Sequence, residues 1–212
     1  MTLDYIKNGD CLELMQELPD KSVDLVLCDL PYGTTKCLWD EIIPFDKLWK
    51  EYKRITKENA AIVLFCKQPF TTRIISSNSK DFKYCLVWEK ENHDNPTTAK
   101  IRFLNVTEDI AIFYRKQCTY NPQGVIKVDK TTVQGGGESL SFRTERNKTY
   151  IQEYTNYPKN ILKFKRDFPN VHPTQKPVKL CEYLIKTFSN EDDVVLDNCC
   201  GSGFNFGCGN KY

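Results

Sequence analysis

The sequence predicts an α/β fold built on a doubly wound sheet, and two observations predict it. Short, β-branched apolar runs alternate with amphipathic helical stretches, and no internal repeat or low-complexity tract interrupts that alternation. At 212 residues, with 40 % hydrophobic and 12 % aromatic content, the chain suits one domain with a modest insertion and exceeds what a disordered chain carries.

Each element has a local reason. Asp10 reads as an N-cap, with Glu13 completing a capping box ahead of Leu14, Met15 and Leu18. Val23–Cys28 and Ala60–Cys66 are continuous enough to be strands covered on both faces. Between them Phe45, Leu48, Trp49, Tyr52 and Ile55 recur at helical spacing, with Pro44 suited to the first turn. Tyr84–Glu89 and Ile110–Tyr114 read as two further strands. From Lys116 to about Lys165 the pattern dissolves into polar sequence containing Gly135–Gly137, which predicts a long insertion. Order returns with a helix at Val178–Phe188, a strand at Val194–Asp197 and a glycine turn at Gly201-Ser202-Gly203. The expected division is 1–115 and 171–212 as parts of one α/β domain, with 116–170 inserted.

Composition excludes several classes. The longest apolar run, Ala60–Cys66, is too short to cross a membrane, and the N-terminus lacks a basic-then-apolar secretory order. A soluble cytoplasmic protein is expected. Ten cysteines without a C-x-x-C pair, and only His93 and His172, point to buried free thiols and no metal site. The net charge of +2 is unevenly spread: residues 1–60 carry 8 Lys/Arg against 12 Asp/Glu, and residues 142–176 carry 8 against 3. That basic stretch is either a solvated face or a contact for a polyanion.

Ligands of open α/β sheets bind beyond the carboxyl ends of the strands, and two such ends are chemically loaded. Asp29-Leu30-Pro31-Tyr32 follows the first strand. Its aromatic ring, expected to be exposed, can stack on a planar ring while its carboxylate accepts a hydrogen bond from an exocyclic amine. Alone, the same four residues read more readily as a β–α turn with a capping Asp and a structural Pro-Tyr. Leu196-Asp197-Asn198-Cys199-Cys200-Gly201-Ser202-Gly203 is a strand running into a glycine turn, where backbone N–H groups can approach a ligand. Its G-x-G-x-x-x-G spacing differs from the dinucleotide fingerprint. His172-Pro-Thr-Gln-Lys-Pro177 offers donors for a carboxylate, or is a plain helix-entry loop.

Together these segments, with Gly9-Asp10-Cys11, Val87-Trp-Glu-Lys90, Glu108-Asp-Ile and Thr119-Tyr-Asn-Pro122, resemble the amino-group DNA methyltransferases of the circularly permuted β group. In that family the D-P-P-Y motif precedes the glycine motif. The resemblance spans nearly the whole chain and implies a Rossmann-like S-adenosylmethionine-dependent methyltransferase fold. It implies that Asp29 and the Pro31 carbonyl bind the target amine and that Tyr32 stacks on a flipped-out base. It places Asp197, Asn198, Cys199, Gly201, Ser202 and Gly203 around S-adenosyl-L-methionine, with Asp10 near its adenine and Thr174, Gln175 and Lys176 near its methionine end. Double-stranded DNA is the implied partner, with a cognate restriction endonuclease as a further one. Arg143, Arg146, Lys148, Lys163, Lys165 and Arg166, interleaved with Phe142, Tyr150, Tyr154 and Tyr157, would make 116–170 the target-recognition region. Asp29 favours adenine N6; cytosine N4 is the alternative.

An exocyclic amine is a poor nucleophile because its lone pair is conjugated with the ring. Two acceptors would draw the nitrogen towards tetrahedral geometry, so no nucleophilic cysteine is implied, and in-line placement would supply most of the acceleration. Two departures from the family pattern stand out. Leu30 replaces the first proline, leaving Asp29, Pro31 and Tyr32 in place. Only nine residues follow Gly203, where the family continues with a helix and a strand. A truncated end, impaired cofactor affinity and, as rival readings, a non-enzymatic DNA-binding remnant or a methyltransferase for RNA or protein amines are therefore also on the table; the motif order argues against the last.

Overall fold

A computed structural model of the chain describes residues 6–35, 40–94, 96–133, 149–167 and 175–200. The elements in chain order are α1 (Cys11–Gln16), β1 (Val23–Asp29), α2 (Phe45–Ile55), β2 (Thr56–Cys66), α3 (Phe70–Ser77), β3 (Phe82–Glu89), a 3-10 turn (Pro96–Thr98) and β4 (Thr107–Phe113). After these come β5 (Ile126–Val133), β6 (Thr149–Thr155), β7 (Ile161–Lys163), α4 (Val178–Phe188) and β8 (Val195–Leu196).

Six strands form one sheet in the order β7-β3-β4-β2-β1-β8. β1 runs parallel to β2 and to β8, and β3 runs parallel to β7, whereas β4 is antiparallel to both β2 and β3. The sheet is therefore mixed, with a single reversed strand. Because β4 alone is reversed, the carboxyl ends of β1, β3, β7 and β8 and the start of β4 share one edge.

Alternation along the central strands explains why both faces need covering. Val26, Cys28, Ile62, Leu64, Cys66, Ala111 and Phe113 point to one face, where Met15 of α1, Leu48, Tyr52 and Ile55 of α2 and Phe70 and Ile74 of α3 pack on them. Leu25, Leu27, Ala61, Val63, Phe65, Ile110 and Ile112 point to the other, under Leu180, Cys181, Leu184 and Phe188 of α4. Each helix presents its apolar residues at i, i+3, i+4 spacing, as a one-sided stripe requires.

The expected elements lie where the pattern put them, with informative differences. Asp10 caps α1, its Oδ1 accepting from the Leu12 and Glu13 amides at 2.8 and 3.2 Å. Pro44 and Pro177 stand at the N-cap positions of α2 and α4, one residue before the first turn. The helix α3, Phe-Thr-Thr-Arg-Ile-Ile-Ser-Ser, is missing from the sequence reading; its β-branched and hydroxyl residues have weak helical propensity, and tertiary packing of Phe70 and Ile74 overrides it.

The stretch 116–165 is not patternless. β5 and β6 pair antiparallel, Ile126 opposite Thr155 and Val133 opposite Thr149, and residues 122–159 form a compact unit of their own. Residues 160–167 belong instead with the large sheet, where β7 pairs with β3. The eight described cysteines are free thiols, and among the described residues no cluster suited to a metal ion and no helix long and apolar enough to cross a membrane is found.

Candidate active site

β1 delivers Asp29 to the sheet edge, and the chain then turns through buried Leu30, partly buried Pro31 and Tyr32, to Gly33. Asp40 folds that turn. Its Oδ1 accepts the amides of Tyr32 and Gly33 at 2.8 and 2.9 Å, and its Oδ2 those of Thr34 and Thr35 at 2.9 and 2.7 Å. Burial alone would push the Asp40 carboxyl up. The Thr35 hydroxyl and the Gly33, Thr35 and Thr34 amides outweigh it and hold the group below the usual carboxylate range. Gly33 is required here: its φ is +65°, and a Cβ would stand 2.9 Å from the Ile42 side chain.

Tyr32 is less exposed than the sequence suggests. Its ring lies 5.1 Å from that of Phe70 and its hydroxyl donates to Asp29 Oδ1 at 2.6 Å. Burial and the Asp29 charge beside it push the phenol well above its ordinary value, so it stays a donor. The other carboxylate oxygen, Asp29 Oδ2, meets the Lys176 ammonium at 2.9 Å. Lys176 also lies 3.1 Å from Glu108 Oε2 and 5.8 Å from the centre of the Tyr32 ring. Burial would lower the Lys176 pKa, but Asp29 and Glu108 outweigh it and raise it to about 12.

From Glu108 the charge ladder continues. Glu108 Oε1 faces Lys90 Nζ at 3.2 Å, and Lys90 reaches both oxygens of Asp94 at 2.7 Å, while Lys67 also pairs with Asp94. Burial favours a protonated Glu108, and Lys176 and Lys90 together reverse that and lower its pKa. Three carboxylates and three ammonium groups thus alternate from Asp29 to the start of the β3–β4 connection.

The second loaded end adjoins the first. β8 pairs with β1, Val195 opposite Leu25 and Leu196 opposite Val26, so Asp197, Asn198 and Cys199 emerge beside the end of β1. Buried Tyr52 donates to Asn198 Oδ1 at 2.6 Å, and Asp197 Oδ1 accepts the Cys199 amide at 3.0 Å. Burial pushes the Cys28 thiol beneath this corner up to about 12, which keeps it a protonated, unreactive group.

The structure thus brings together Asp29, Pro31, Tyr32 and Lys176 at one strand end and Asp197, Asn198 and Cys199 at its neighbour. Asp10 is exposed at the cap of α1, and Gln175 Nε2 is 3.4 Å from Asp167, whose carboxylate also accepts the Val178 amide and so caps α4. Lys163 and Lys165 are exposed and pair with Glu89 and Glu91 at 3.0 and 2.7 Å, and Arg166 is exposed beside them. Thr174, Gly201, Ser202, Gly203, Arg143, Arg146 and Lys148 lie outside the described residues. Sequence reasoning overlooked Asp40, and it named Lys90 and Glu108 only within segments that carry the resemblance, giving them no role in the site. A charged residue at either end of an apolar strand was the local signal of the latter two, and their partners are distant in the chain.

Comparison with known proteins bears on this arrangement. The N6/N4 family model described as DNA methylase matches residues 23–204. The chain belongs to this DNA methylase family. It is similar to the DNA adenine methyltransferase YhdJ of Escherichia coli (strain K12), 27 % identical over 93 % of this chain and 71 % of that protein. It is also similar to the type II methyltransferase M1.MboII of Moraxella bovis, 26 % identical over 96 % and 86 %. Among solved structures the fold is shared with the M1.HpyAVI–SAM complex, at a TM-score of 0.60 and 22 % identity over 95 % of this chain and 86 % of that one. The cytosine-N4-specific PvuII DNA methyltransferase shares it at a TM-score of 0.59 and 17 % identity over 89 % and 71 %. The methylase sheet is thus the Rossmann-like one of S-adenosylmethionine-dependent DNA methyltransferases.

Proposed function

We propose that this methylase transfers a methyl group from S-adenosyl-L-methionine to the N6 amine of adenine in double-stranded DNA. One observation carries the reading: Asp29, with Tyr32 beside it, ends the strand adjacent to the one that leads into Asp197–Cys199. The residues at that edge suit the cofactor. Asp197 and Asn198 offer acceptors to hydroxyl or amine donors. When bound, the cofactor supplies an electrophilic sulfonium methyl.

The protein's share is placement. An ionised carboxylate has about four lone-pair sites, so Asp29 can accept an amine N–H while keeping Tyr32 and Lys176. Lys176 holds Asp29 Oδ2 at 2.9 Å, and the Pro31 carbonyl is the second acceptor. Both would draw the amine nitrogen out of conjugation, and Asp29 is placed to receive the proton that the methylated nitrogen sheds. The Asp40-capped turn holds these groups still. Extrusion of the base costs a few kcal/mol, offset in part by stacking on Tyr32. The β5–β6 unit of residues 122–159, with Lys127, Lys130 and Tyr154 on a two-stranded ribbon that a major groove admits, suits target recognition.

The chain is similar in sequence to a DNA adenine methyltransferase and in fold to a cytosine-N4-specific one, and the aspartate at position 29 favours adenine. Incubating the chain with radiolabelled S-adenosylmethionine and unmethylated phage DNA, followed by nucleoside analysis, tests this. Label in N6-methyladenine that disappears in Asp29→Ala is the expected result. Label in N4-methylcytosine would overturn the base assignment, and DNA binding without label would favour the non-enzymatic remnant.

A further inference from the structure

The connection between β3 and β4 rises from the same sheet edge as Asp29, and its tip is apolar. Phe103 is 100 % exposed and Ile101 83 % exposed, two residues apart, with exposed Lys100 and Arg102 on either side of Ile101. No acidic residue occurs between Asn95 and Thr107. A single surface hydrophobe needs no explanation, but a bare aromatic and a bare isoleucine interleaved with two cations is a small, specific patch.

The base of this loop is firmly held. Lys90 N donates to the Val106 carbonyl at 2.8 Å and Asp94 N to the Asn105 carbonyl at 2.9 Å, closing the loop like an extended hairpin. Thr98 accepts the amides of Ile101 and Arg102 at 3.0 and 3.1 Å. Asp94 is gripped by Lys90 and Lys67, and Lys90 leads through Glu108 and Lys176 to Asp29. The tip is therefore mounted on the same ladder of charges that holds the carboxylate of the site. In the sheet, β3 and β1 are three strand steps apart, about 14 Å at the usual spacing.

We propose that Phe103 and Ile101 form a wedge that enters the base stack of double-stranded DNA at the place vacated by the target nucleotide, with Lys100 and Arg102 on the flanking phosphates. The wedge rests on the reading of the chain as a DNA amino-methyltransferase. Phe and Ile are side chains suited to insertion between base steps, where an aromatic face replaces lost stacking. Charge complementarity selects DNA as the occupant: the patch offers cations only, and its partner must supply both anions and a π-face. Filling the gap opposes return of the extruded base, so the wedge prolongs the flipped state in which Asp29 can act.

The test uses the purified full chain and two fluorescent duplexes of one sequence, one carrying a single abasic site. A wedge binds the duplex with the ready-made gap about tenfold more tightly than the intact one. Phe103→Ala should abolish that preference while leaving binding to the intact duplex within about twofold and the melting temperature unchanged, since the side chain touches no core. Phe103→Trp should keep the preference. An equal preference in wild type and Phe103→Ala, or no preference in wild type, would overturn the wedge. Label incorporation into phage DNA is measured alongside. Incorporation without a Phe103-dependent preference sinks the wedge and leaves the methyl-transfer reading standing. A Phe103-dependent preference without incorporation supports the wedge and sinks methyl transfer.

Discussion

Replacing Glu108 with Gln would leave a fully buried ammonium with fewer counter-charges. The Lys90 side chain is 0 % exposed and faces Asp94 at 2.7 Å and Glu108 at 3.2 Å, while Lys176 faces Glu108 at 3.1 Å and Asp29 at 2.9 Å. The ladder of three carboxylates and three ammonium groups then carries one uncompensated positive charge. Removing one partner of a buried ion pair costs about 3–5 kcal/mol, and the lower end applies because each lysine keeps one carboxylate. For a chain of 212 residues, a loss of about 3 kcal/mol lowers the melting temperature by roughly 6–12 °C.

Acid provides an internal control on that reasoning. Burial favours the protonated Glu108, but Lys176 and Lys90 outweigh it, so its folded pKa lies below its unfolded one. The stabilisation is then fully present above the unfolded value of about 4.3 and is lost as pH falls through the folded value. Urea unfolding followed by circular dichroism should show a constant gap between wild type and Glu108→Gln from pH 8 to about pH 5, narrowing in more acid solution. A gap below about 1 kcal/mol at pH 7, or one that widens in acid, would refute the argument.

Three other perturbations probe the site. Asp40→Ala orphans the four turn amides of residues 32–35 and should cost about 2–3 kcal/mol in urea unfolding, with Asp40→Asn recovering part of it. Tyr32→Phe keeps the ring but loses the hydroxyl that donates to Asp29, and should lower kcat about tenfold or less. Tyr32→Ala also removes the stacking face and should cost a further fivefold or more, roughly, in label incorporation. Tyr52→Phe breaks the 2.6 Å bond to Asn198 and should cost about 1 kcal/mol of stability while weakening S-adenosylmethionine binding in calorimetry.

Much of the site was legible because motifs are local. Asp29, Pro31 and Tyr32 directly follow an apolar strand, and Asp197–Cys199 directly follow another, so their position at strand ends could be read from two short segments. Three partners of the motif could not. Asp40 shows only as one acid in a polar loop. Lys90 and Glu108 stand at the ends of strands that the sequence places apart, and their pairing with each other and with Lys176 depends on which strands are neighbours. Tyr32 reads as exposed because sequence does not reveal that Phe70 packs on it.

By itself the sequence determined the class of fold, the faces of α2 and α4, the cap at Asp10 and the two chemically loaded strand ends, because hydrophobic period and capping chemistry act over a few residues. Tertiary structure alone decided the reversed direction of β4, the helix α3, the ribbon of β5 and β6, and the ladder of charges under Asp29. Strand direction depends on which partner completes a buried strand's hydrogen bonds, and a buried charge is tolerable only where an opposite one from elsewhere in the chain arrives to meet it.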